Sequence, residues 1–345
     1  MTFTVPTVDI SPYLSGGDGA GRRTVAEQLG RACTEVGFIQ IVNHGVDPAI
    51  IEGLADAVDE FFALPLDVKK RYAETSGPNR GYHPPKSDSL SMSLGIPSAN
   101  MMNDFYEAFT IGSETDWYPG EQLPEANYAT NVWPTDAPGF RPAVESYFAA
   151  AQGLSRVMLA ALTDALGLAS GYFDAMTDHS IDVLKMNNYA LPEGEVHLCG
   201  DLTGMGAHTD FGILTILWAD QVAGLQVLDK RGRWHDVMPD DGALLINLGD
   251  AMARWTNDRW LSTVHRVNPP VVDGRIMRRR SVAFFFDGNF DAVIEPLAGC
   301  VGDGESMYPP ISIADNINAK LAGVRSKKVP SAVGREAHRV LSAQD

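Results

Sequence analysis

The spacing of apolar residues divides the chain into two parts. In the first part, apolar side chains recur every three or four residues over three long stretches, which is typical of helices that bury one face. These helices are predicted at 21–36, 48–64 and 142–166. Short β-prone runs at 5–10 and 38–42 flank the first helix, and residues 76–135 are rich in Pro, Gly, Ser and Asn without a sustained period. We therefore expect strands and helices to alternate, followed by a long irregular segment of the kind that often forms a lid or a binding loop.

From residue 183 onward the apolar period changes to two. Short runs of alternating residues are separated by Gly, Asp, Asn and Pro, which favour turns. Many short strands at close spacing favour an antiparallel sandwich or barrel. The strands are predicted at 183–189, 205–209, 213–218, 224–228, 233–237, 243–247, 262–267 and 280–286, and the tail is predicted to be helical from Ile313.

Composition and charge exclude several classes of partner. The 27 basic and 44 acidic side chains give a net charge of −17, which disfavours nucleic acid and anionic lipid because both bind mainly through Lys and Arg. No apolar run reaches the roughly 18 residues of a membrane span, and the first residues lack the pattern of a signal peptide. Cys33, Cys199 and Cys300 lie too far apart to indicate a disulfide framework. We expect a cytoplasmic protein, monomeric or weakly homo-oligomeric, with no nucleic-acid or membrane partner.

A metal site is indicated by His208-Thr209-Asp210. Side chains at positions i and i+2 of a strand share a face, so His208 and Asp210 can reach one ion. A second histidine, His265, follows in another β-prone run. Two imidazoles and a carboxylate leave three octahedral positions open, which suits Fe(II) that binds a cosubstrate and O₂ together. Zinc hydrolases use a similar ligand set, so the triad alone does not decide the metal.

An anion site is indicated fourteen residues beyond His265. Alternation places Arg279 and Ser281 on one face of a strand, where a guanidinium and a hydroxyl can hold a carboxylate. The segment 254–280 contains seven arginines and two acidic residues. In a chain with net negative charge, this strip implies an anionic ligand near the metal.

These motifs together resemble the isopenicillin N synthase-like branch of the Fe(II)/2-oxoglutarate-dependent oxygenases. The resemblance extends over about residues 3–300 and rests on several separate segments. The matching segments are Val5–Asp9, Gly37–Val46, Phe61–Pro65, Asn187–Tyr189, Ala207–Gly212, Gly224–Val227, Asn247–Asp250, His265–Val267 and Arg279–Phe285.

The resemblance implies a fold, a domain organisation and a set of site residues. The fold would be mainly β with flanking helices, a double-stranded β-helix or cupin-like jelly roll. Three regions would follow one another: an N-terminal α/β region with loops packed on the core (1–135), the jelly-roll core (136–310), and a C-terminal helix and tail (311–345). The iron ligands would be His208, Asp210 and His265, and the distal carboxylate of 2-oxoglutarate would be held by Arg279, Ser281 and Tyr189, with Asn187 close by.

The implied activity is that of an oxidoreductase, a dioxygenase that uses Fe(II), 2-oxoglutarate and O₂ to hydroxylate, desaturate or cyclise a small molecule. Arg80, just before Gly81-Tyr82, resembles a substrate-binding arginine of the penicillin-forming member of the family, so the substrate is expected to be an amino acid or a carboxylate precursor in secondary metabolism. Tyr82 would add a hydrogen bond or an apolar wall, and Phe285 would line the pocket. A solvated loop arginine is an equally good interpretation of Arg80.

Two alternatives to this activity stay open. The first is an oxidase of the isopenicillin N synthase type, which uses the same triad but holds a substrate carboxylate and needs no 2-oxoglutarate. The second is a non-catalytic metal-binding ligand sensor, although a sensor has no need of open positions for O₂. Consumption of 2-oxoglutarate separates these alternatives from the dioxygenase.

Overall fold

The fold comes from a computed structural model of the chain. It describes residues 3–14, 16, 19–73, 79–85, 87, 90–94, 104–190, 204–268, 271–272 and 275–326. Within these ranges no helix has both the length and the apolar character needed to cross a membrane.

Helices and strands alternate in the first part of the chain, and strands dominate the second. The helices are α1 (Ser11–Leu14), α2 (Gly19–Glu35), α3 (Pro48–Phe62), α4 (Leu66–Lys69), α5 (Phe140–Ala165), α6 (Asp250–Trp255), α7 (Ala298–Val301) and α8 (Ile313–Ser326). The strands are β1 (Thr7–Asp9), β2 (Phe38–Val42), β3 (Gly81–His83), β4 (Glu107–Gly112), β5 (Val183–Tyr189), β6 (Met205–His208), β7 (Leu214–Ala219), β8 (Leu225–Leu228), β9 (Trp234–Asp236), β10 (Leu244–Leu248), β11 (His265–Val267), β12 (Val271–Val272), β13 (Arg275–Ile276), β14 (Arg279–Phe286), β15 (Val293–Ile294) and β16 (Ile311–Ser312).

Two sheets form the centre of the molecule. The larger sheet has the strand order β1-β2-β10-β7-β14-β5-β4-β3, and the smaller has the order β6-β11-β8-β9. Strands β1 and β2 pair in parallel, whereas the other strand pairs of these two sheets are antiparallel. The predicted class, mainly β with flanking helices and a double-stranded β-helix, is confirmed.

The N-terminal region and the predicted core share the larger sheet. Strands β1 and β2 extend this sheet at one edge, and β4 and β3 extend it at the other. The predicted boundary at residue 135 therefore separates segments that are joined by backbone hydrogen bonds. The boundaries at 135 and 310 stay a prediction.

Helix α3 illustrates how local sequence sets an element. The Asp47 carboxylate accepts a hydrogen bond from the Ala49 N–H, and Pro48 occupies the first turn, where its missing N–H has no intrahelical partner to lose. Leu54, Val58 and Phe61 recur on the buried face. This face packs against α5, and α5 in turn contacts β14 and β7 of the larger sheet.

The segment 76–135 was predicted to be irregular, yet it contains β3 and β4. Every residue of β4 is buried. A strand that is buried on both faces lacks the apolar-polar alternation that identifies a half-exposed strand. This explains why the sequence pattern did not reveal β4.

Phe61 is the centre of an aromatic cluster beneath the sheet. Its ring, which is fully buried, contacts the rings of Phe62, Tyr72, Tyr82, Phe109 and Phe140. This cluster joins α3 and α5 to β3 and β4.

We expect Phe61→Ala to lower the free energy of unfolding by about 3–5 kcal/mol, because it removes a buried ring from a close-packed core. Chemical denaturation monitored by circular dichroism would measure this loss. Phe61→Leu, which keeps most of the apolar volume, should cost much less. Equal losses in the two variants would contradict the packing role.

Candidate active site

The two sheets bring the three predicted metal ligands together. His208 ends β6, and His265 begins β11 directly opposite it in the antiparallel register. Asp210 lies two residues beyond His208, and all three residues are buried. One ligand atom from each lies within 4.8 Å of the others. The described residues thus contain a His-Asp-His cluster with the spacing of a metal site.

The Asp210 carboxylate is oriented by two neighbours. Its Oδ2 accepts hydrogen bonds from Thr215 Oγ1 at 2.5 Å and Asn247 Nδ2 at 2.7 Å. Thr215 and Asn247 are themselves paired across β7 and β10. The other oxygen, Oδ1, lies 3.7 Å from His208 Nε2 and 3.8 Å from His265 Nε2. One carboxylate oxygen is therefore directed towards the metal position, while the other is held by the sheet.

The histidines present their Nε2 atoms to the same point. His208 Nδ1 lies 2.8 Å from the Gly206 carbonyl oxygen, and His265 Nδ1 lies 3.1 Å from the Thr263 carbonyl oxygen. A carbonyl oxygen only accepts, so each Nδ1 carries the proton and each Nε2 lone pair is available for a metal.

Electrostatics favour the ionisation states that bind a cation. Burial, and then the neighbouring imidazole of His265, lower the pKa of His208 to about 3, so its ring is neutral. Burial alone would raise the pKa of Asp210. The imidazoles of His265 and His208 and the two hydrogen bonds to its side chain outweigh burial and lower that pKa instead. A neutral imidazole and an ionised carboxylate are the forms that coordinate metals.

Thr215 offers an isosteric test of how Asp210 is held. We expect Thr215→Val to weaken Fe(II) affinity by about 10- to 100-fold, because it removes one of the two donors that orient the carboxylate. Thr215→Ser keeps the hydroxyl, so its Fe(II) affinity should stay within about threefold of that of the wild type. Anaerobic Fe(II) titration measures both, and equal affinities in the Val and Ser variants would exclude this role.

Arg279 provides the buried positive charge that an anion requires. It is paired with Tyr189 across β14 and β5, its side chain lies 5.2 Å from the Tyr189 ring centre, and only 2% of its surface is exposed. Its Nε and Nη1 atoms are buried and make no hydrogen bond within the part of the chain that the structure describes. Ser281, two residues further along β14, is paired with Asn187. A buried guanidinium with unpaired donors is unfavourable unless an anion binds to it, so this group fits a carboxylate.

The His208-Asp210-His265 cluster and Arg279 line the same cavity. Its volume is about 140 Å³, which suits a small molecule. Eight predicted residues line it. Seven were predicted to bind the metal or 2-oxoglutarate, and Phe285 was predicted to line the substrate pocket: His208, Asp210, His265, Arg279, Ser281, Tyr189, Asn187 and Phe285.

The structure does not place Arg80 in this cavity. Its Nε donates to the Ala129 carbonyl and its Nη2 to the Ser113 carbonyl, both at 3.0 Å. The guanidinium also packs so closely on Gly112 that a Cβ atom there would lie 2.5 Å from Nη1. Arg80 therefore cross-links loops, and the predicted contact with a substrate carboxylate is wrong because the side chain is used within the fold.

Tyr82 is likewise a structural residue. Its hydroxyl donates to Glu107 Oε2 at 2.6 Å, and its ring belongs to the cluster around Phe61. Burial, and then the hydrogen bond to Glu107, raise the pKa of Tyr82. The side chain does not line the cavity, so its predicted contact with the substrate is also wrong.

The two arginines that flank Arg279 in the predicted cationic strip form ion pairs outside the cavity. Arg278 and Arg280 both contact Asp59, and Arg280 also contacts Asp220. Among the arginines of this strip whose side chains the structure describes, Arg279 is the one that lines the cavity. The inference of a bound anion therefore rests on Arg279 and not on the strip.

Several cavity residues were missed by sequence reasoning. Lys185 lies on the same face of β5 as Asn187, and Asp287 continues the face of β14 that carries Phe285. Alternation along these two strands could have identified both. Thr110 lies in the segment predicted to be irregular, so no pattern pointed to it.

Helix α8 closes one side of the cavity. Ile317 and Leu321 contribute apolar wall, and Lys320 Nζ lies 2.8 Å from Asp250 Oδ2. The Asp250 N–H donates to the Asp210 carbonyl at 2.8 Å. The helix is thereby linked to the segment that carries Asp210, one of the three predicted metal ligands.

Comparisons with known protein families place this arrangement in a known class. Residues 5–136 match the family described as non-haem dioxygenase in morphine synthesis N-terminal, and residues 181–288 match the 2OG-Fe(II) oxygenase superfamily. The chain is 35% identical to the 2-oxoglutarate-Fe(II) type oxidoreductase hxnY of Emericella nidulans, over 90% of this chain and 88% of the relative. It is 34% identical to the 2-oxoglutarate-dependent dioxygenase citB of Monascus ruber, over 86% and 88%.

Solved structures agree with the sequence relatives. Neurospora crassa T7H in complex with α-ketoglutarate and thymine has a TM-score of 0.79 and 28% identity, and the match covers 92% of this chain and 96% of that one. A 2OG-Fe(II) oxygenase family protein from Caulobacter crescentus has a TM-score of 0.79 and 29% identity, with coverage of 93% and 99%.

The chain belongs to the 2-oxoglutarate–Fe(II) oxygenase superfamily. It is a dioxygenase that depends on Fe(II), 2-oxoglutarate and O₂ and acts on a small molecule. The predicted family, activity and cofactors are confirmed.

Proposed function

We propose that His208, Asp210 and His265 bind Fe(II), and that Arg279, Ser281 and Tyr189 bind the distal carboxylate of 2-oxoglutarate with Asn187 beside them. The metal assignment is supported by the convergence of two Nε2 atoms and Asp210 Oδ1. The 2-oxoglutarate assignment is supported most directly by the unpaired buried donors of Arg279, and this observation carries the proposal.

The proposed reaction is hydroxylation of a C–H bond. One oxygen atom of O₂ enters the substrate as a hydroxyl group, and the other enters 2-oxoglutarate, which loses CO₂ and leaves as succinate. Bound Fe(II) supplies the activation of O₂. In desaturation or ring closure the substrate would lose two hydrogen atoms, which leave as water with the oxygen atom that otherwise forms the hydroxyl group, and the desaturated or cyclised molecule would be the product. Which outcome occurs depends on how the substrate is positioned.

The side chains of this chain have three tasks in that reaction. Arg279 fixes the position and orientation of 2-oxoglutarate by a charge-assisted pair. Thr215 and Asn247 fix the orientation of the Asp210 carboxylate. Apolar residues of the cavity, including Phe285 and Leu321, exclude water from the reacting groups.

If the buried donors of Arg279 bind 2-oxoglutarate, the protein should convert 2-oxoglutarate to succinate, which can be assayed directly. Purified protein supplied with Fe(II), 2-oxoglutarate and air should form succinate and CO₂ in equal amounts, slowly without a substrate and faster with one. Succinate formation should stop when either Fe(II) or 2-oxoglutarate is left out. Consumption of O₂ that does not depend on 2-oxoglutarate would instead support an oxidase of the isopenicillin N synthase type, and binding of 2-oxoglutarate without any turnover would support a sensor.

The substrate is proposed to be a small polar organic molecule. The position of Arg80 removes the reason for expecting a carboxylate on it. The polar lining of the cavity, which includes Thr110 and Lys185, supports a substrate with hydrogen-bonding groups. Named relatives include a clavatol oxidase of Penicillium crustosum and a homoarginine-6-hydroxylase of rice, which fits a family that acts on diverse metabolites.

We also propose that the protein works in the cytoplasm as a monomer or weak homo-oligomer, without nucleic-acid or membrane partners. The net charge of −17 supports this. Cys33 and Cys300 are free thiols in the described residues, which fits a reducing compartment, and Cys199 lies outside those residues.

A further inference from the structure

Thr110 and Lys185 form a second polar surface in the cavity, separate from the residues proposed to bind the metal and 2-oxoglutarate. They are paired directly across β4 and β5 in the antiparallel register, and both line the cavity. Side chains that face each other in such a pair have Cβ atoms about 4.5–5.5 Å apart. The hydroxyl of one residue and the ammonium of the other are therefore close enough to contact the same group of a ligand.

The Thr110 hydroxyl is buried without a hydrogen bond. Only 2% of the residue is exposed, and its Oγ1 atom makes no hydrogen bond to any residue that the structure describes. A buried hydroxyl in this state is unfavourable by itself. It is stabilised if a molecule bound in the cavity accepts its O–H.

Lys185 places a positive charge beside this hydroxyl. Its side chain is half-buried, and its Nζ donates to the Tyr106 hydroxyl at 3.1 Å. A neutral hydroxyl orients the ammonium but does not cancel its charge. The acidic residues in the described lining of the cavity are Asp210, which belongs to the metal cluster, and Asp287. Asp287 lies four residues beyond Ala283, the partner of Lys185 on β14, or roughly 13 Å along the chain. The surroundings of the pair thus favour an anionic group.

The pair lies across the larger sheet from the metal cluster. Thr215 and Asn247, which hold the Asp210 carboxylate, belong to β7 and β10. Lys185 and Thr110 belong to β5 and β4, which are two and three strands beyond β7. Neighbouring strands are about 4.8 Å apart, so β5 and β4 lie roughly 10 and 14 Å from β7. A ligand group bound by the pair is held away from the metal, and the rest of the molecule extends towards it.

We propose that Thr110 and Lys185 bind a carboxylate of the substrate, and that the substrate class is small carboxylic acids with an apolar body. One ammonium and one hydroxyl match the single charge and the acceptor oxygens of a carboxylate. Apolar side chains of Phe285, Ile317 and Leu321 line the same cavity and suit the rest of such a molecule. The proposal rests on the proposed function, because it assigns the substrate side of the same site, and it does not involve the contact predicted for Arg80.

The test compares benzoate with benzamide, which have nearly the same shape and differ in charge. Their affinities are measured by ligand-observed NMR on the whole chain, loaded with Zn(II) and saturated with 2-oxoglutarate, because Zn(II) has no redox chemistry and permits no turnover. The variants are Lys185→Met, which removes the charge, Lys185→Arg, which keeps it, and Thr110→Val, which removes only the hydroxyl. Lys230→Met is the matched control, because the Nζ of Lys230 donates to the Thr34 carbonyl outside the cavity.

We expect the wild type to bind benzoate at least about tenfold more tightly than benzamide. Lys185→Met should abolish that preference and Thr110→Val should weaken it, whereas Lys185→Arg and Lys230→Met should keep it within about threefold. With Mn(II) in place of Zn(II), the paramagnetic ion should broaden the signal of the benzoate proton para to the carboxylate more than those of the ortho protons, because the acid group is held away from the metal.

The proposal is overturned if the wild type shows no preference, or if the preference survives unchanged in Lys185→Met or in Thr110→Val. Stronger broadening of the ortho protons would also overturn it, by showing that the carboxylate binds at the metal. A loss of 2-oxoglutarate affinity in Lys185→Met as large as its loss of benzoate affinity would assign the lysine to 2-oxoglutarate instead. Succinate formation by the wild type with Fe(II) and air is measured in parallel. Its absence would refute the proposed function, whereas its presence without a carboxylate preference would refute only this proposal.

Discussion

Replacing His208, Asp210 or His265 with alanine is expected to abolish turnover and leave the fold intact. Each change removes one of three donor atoms that converge within 4.8 Å, whereas the sheets that position them remain. Loss of a residue that only supports a ligand costs about 10- to 100-fold in metal affinity or activity, so loss of a ligand itself should cost more. Anaerobic Fe(II) titration measures binding, succinate formation measures turnover, and circular dichroism checks the fold.

His235→Ala is the matched control for these variants. His235 is a histidine of β9 that stacks on Phe3 and pairs with Asp229, away from the cavity lining. The control should keep iron affinity and turnover. Iron affinity like that of the wild type in any of the three ligand variants would remove that residue from the metal site.

Arg279→Gln is expected to weaken 2-oxoglutarate binding by at least about 100-fold with little effect on iron affinity. Hydrogen bonds to charged groups contribute about 1.5–3 kcal/mol each, and a guanidinium makes two such bonds to a carboxylate. Glutamine keeps a polar side chain but supplies neither the charge nor the planar fork. The Michaelis constant for 2-oxoglutarate and the Fe(II) affinity should be measured on the same preparation.

Arg280→Gln is the matched control, because the adjacent residue on β14 points away from the cavity. Its guanidinium pairs with Asp59 and Asp220. We expect its Michaelis constant for 2-oxoglutarate to stay close to that of the wild type. If Arg279→Gln leaves this constant unchanged, another residue holds 2-oxoglutarate or the protein is an oxidase that does not use it.

The sequence was most informative where one face of an element is buried and the other is exposed. Alternation along β14 correctly placed Arg279, Ser281 and Phe285 on one face. The HxD pattern predicted that His208 and Asp210 lie close together, and they do, although β6 ends at His208 and Asp210 follows it. Helices α3 and α5 were found by the same physical signal at a period near 3.6. These predictions depend only on local geometry.

Prediction failed where contacts between distant segments decide the outcome. Arg80 bonds to carbonyl oxygens of Ser113 and Ala129, 33 and 49 residues away, and no local pattern encodes such bonds. Strand β4 is buried on both faces and so lacks alternation. The support of Asp210 by Thr215 and Asn247 depends on the register of β7 and β10, which the sequence alone did not specify.

We propose that one cavity holds the metal through three side chains and 2-oxoglutarate through Arg279. An anaerobic crystal structure with Mn(II) and 2-oxoglutarate tests it most directly. We predict a metal coordinated by His208 Nε2, His265 Nε2 and Asp210 Oδ1, with the distal carboxylate of 2-oxoglutarate paired to the Arg279 guanidinium. A metal bound elsewhere, or a 2-oxoglutarate carboxylate that does not contact Arg279, would contradict the account.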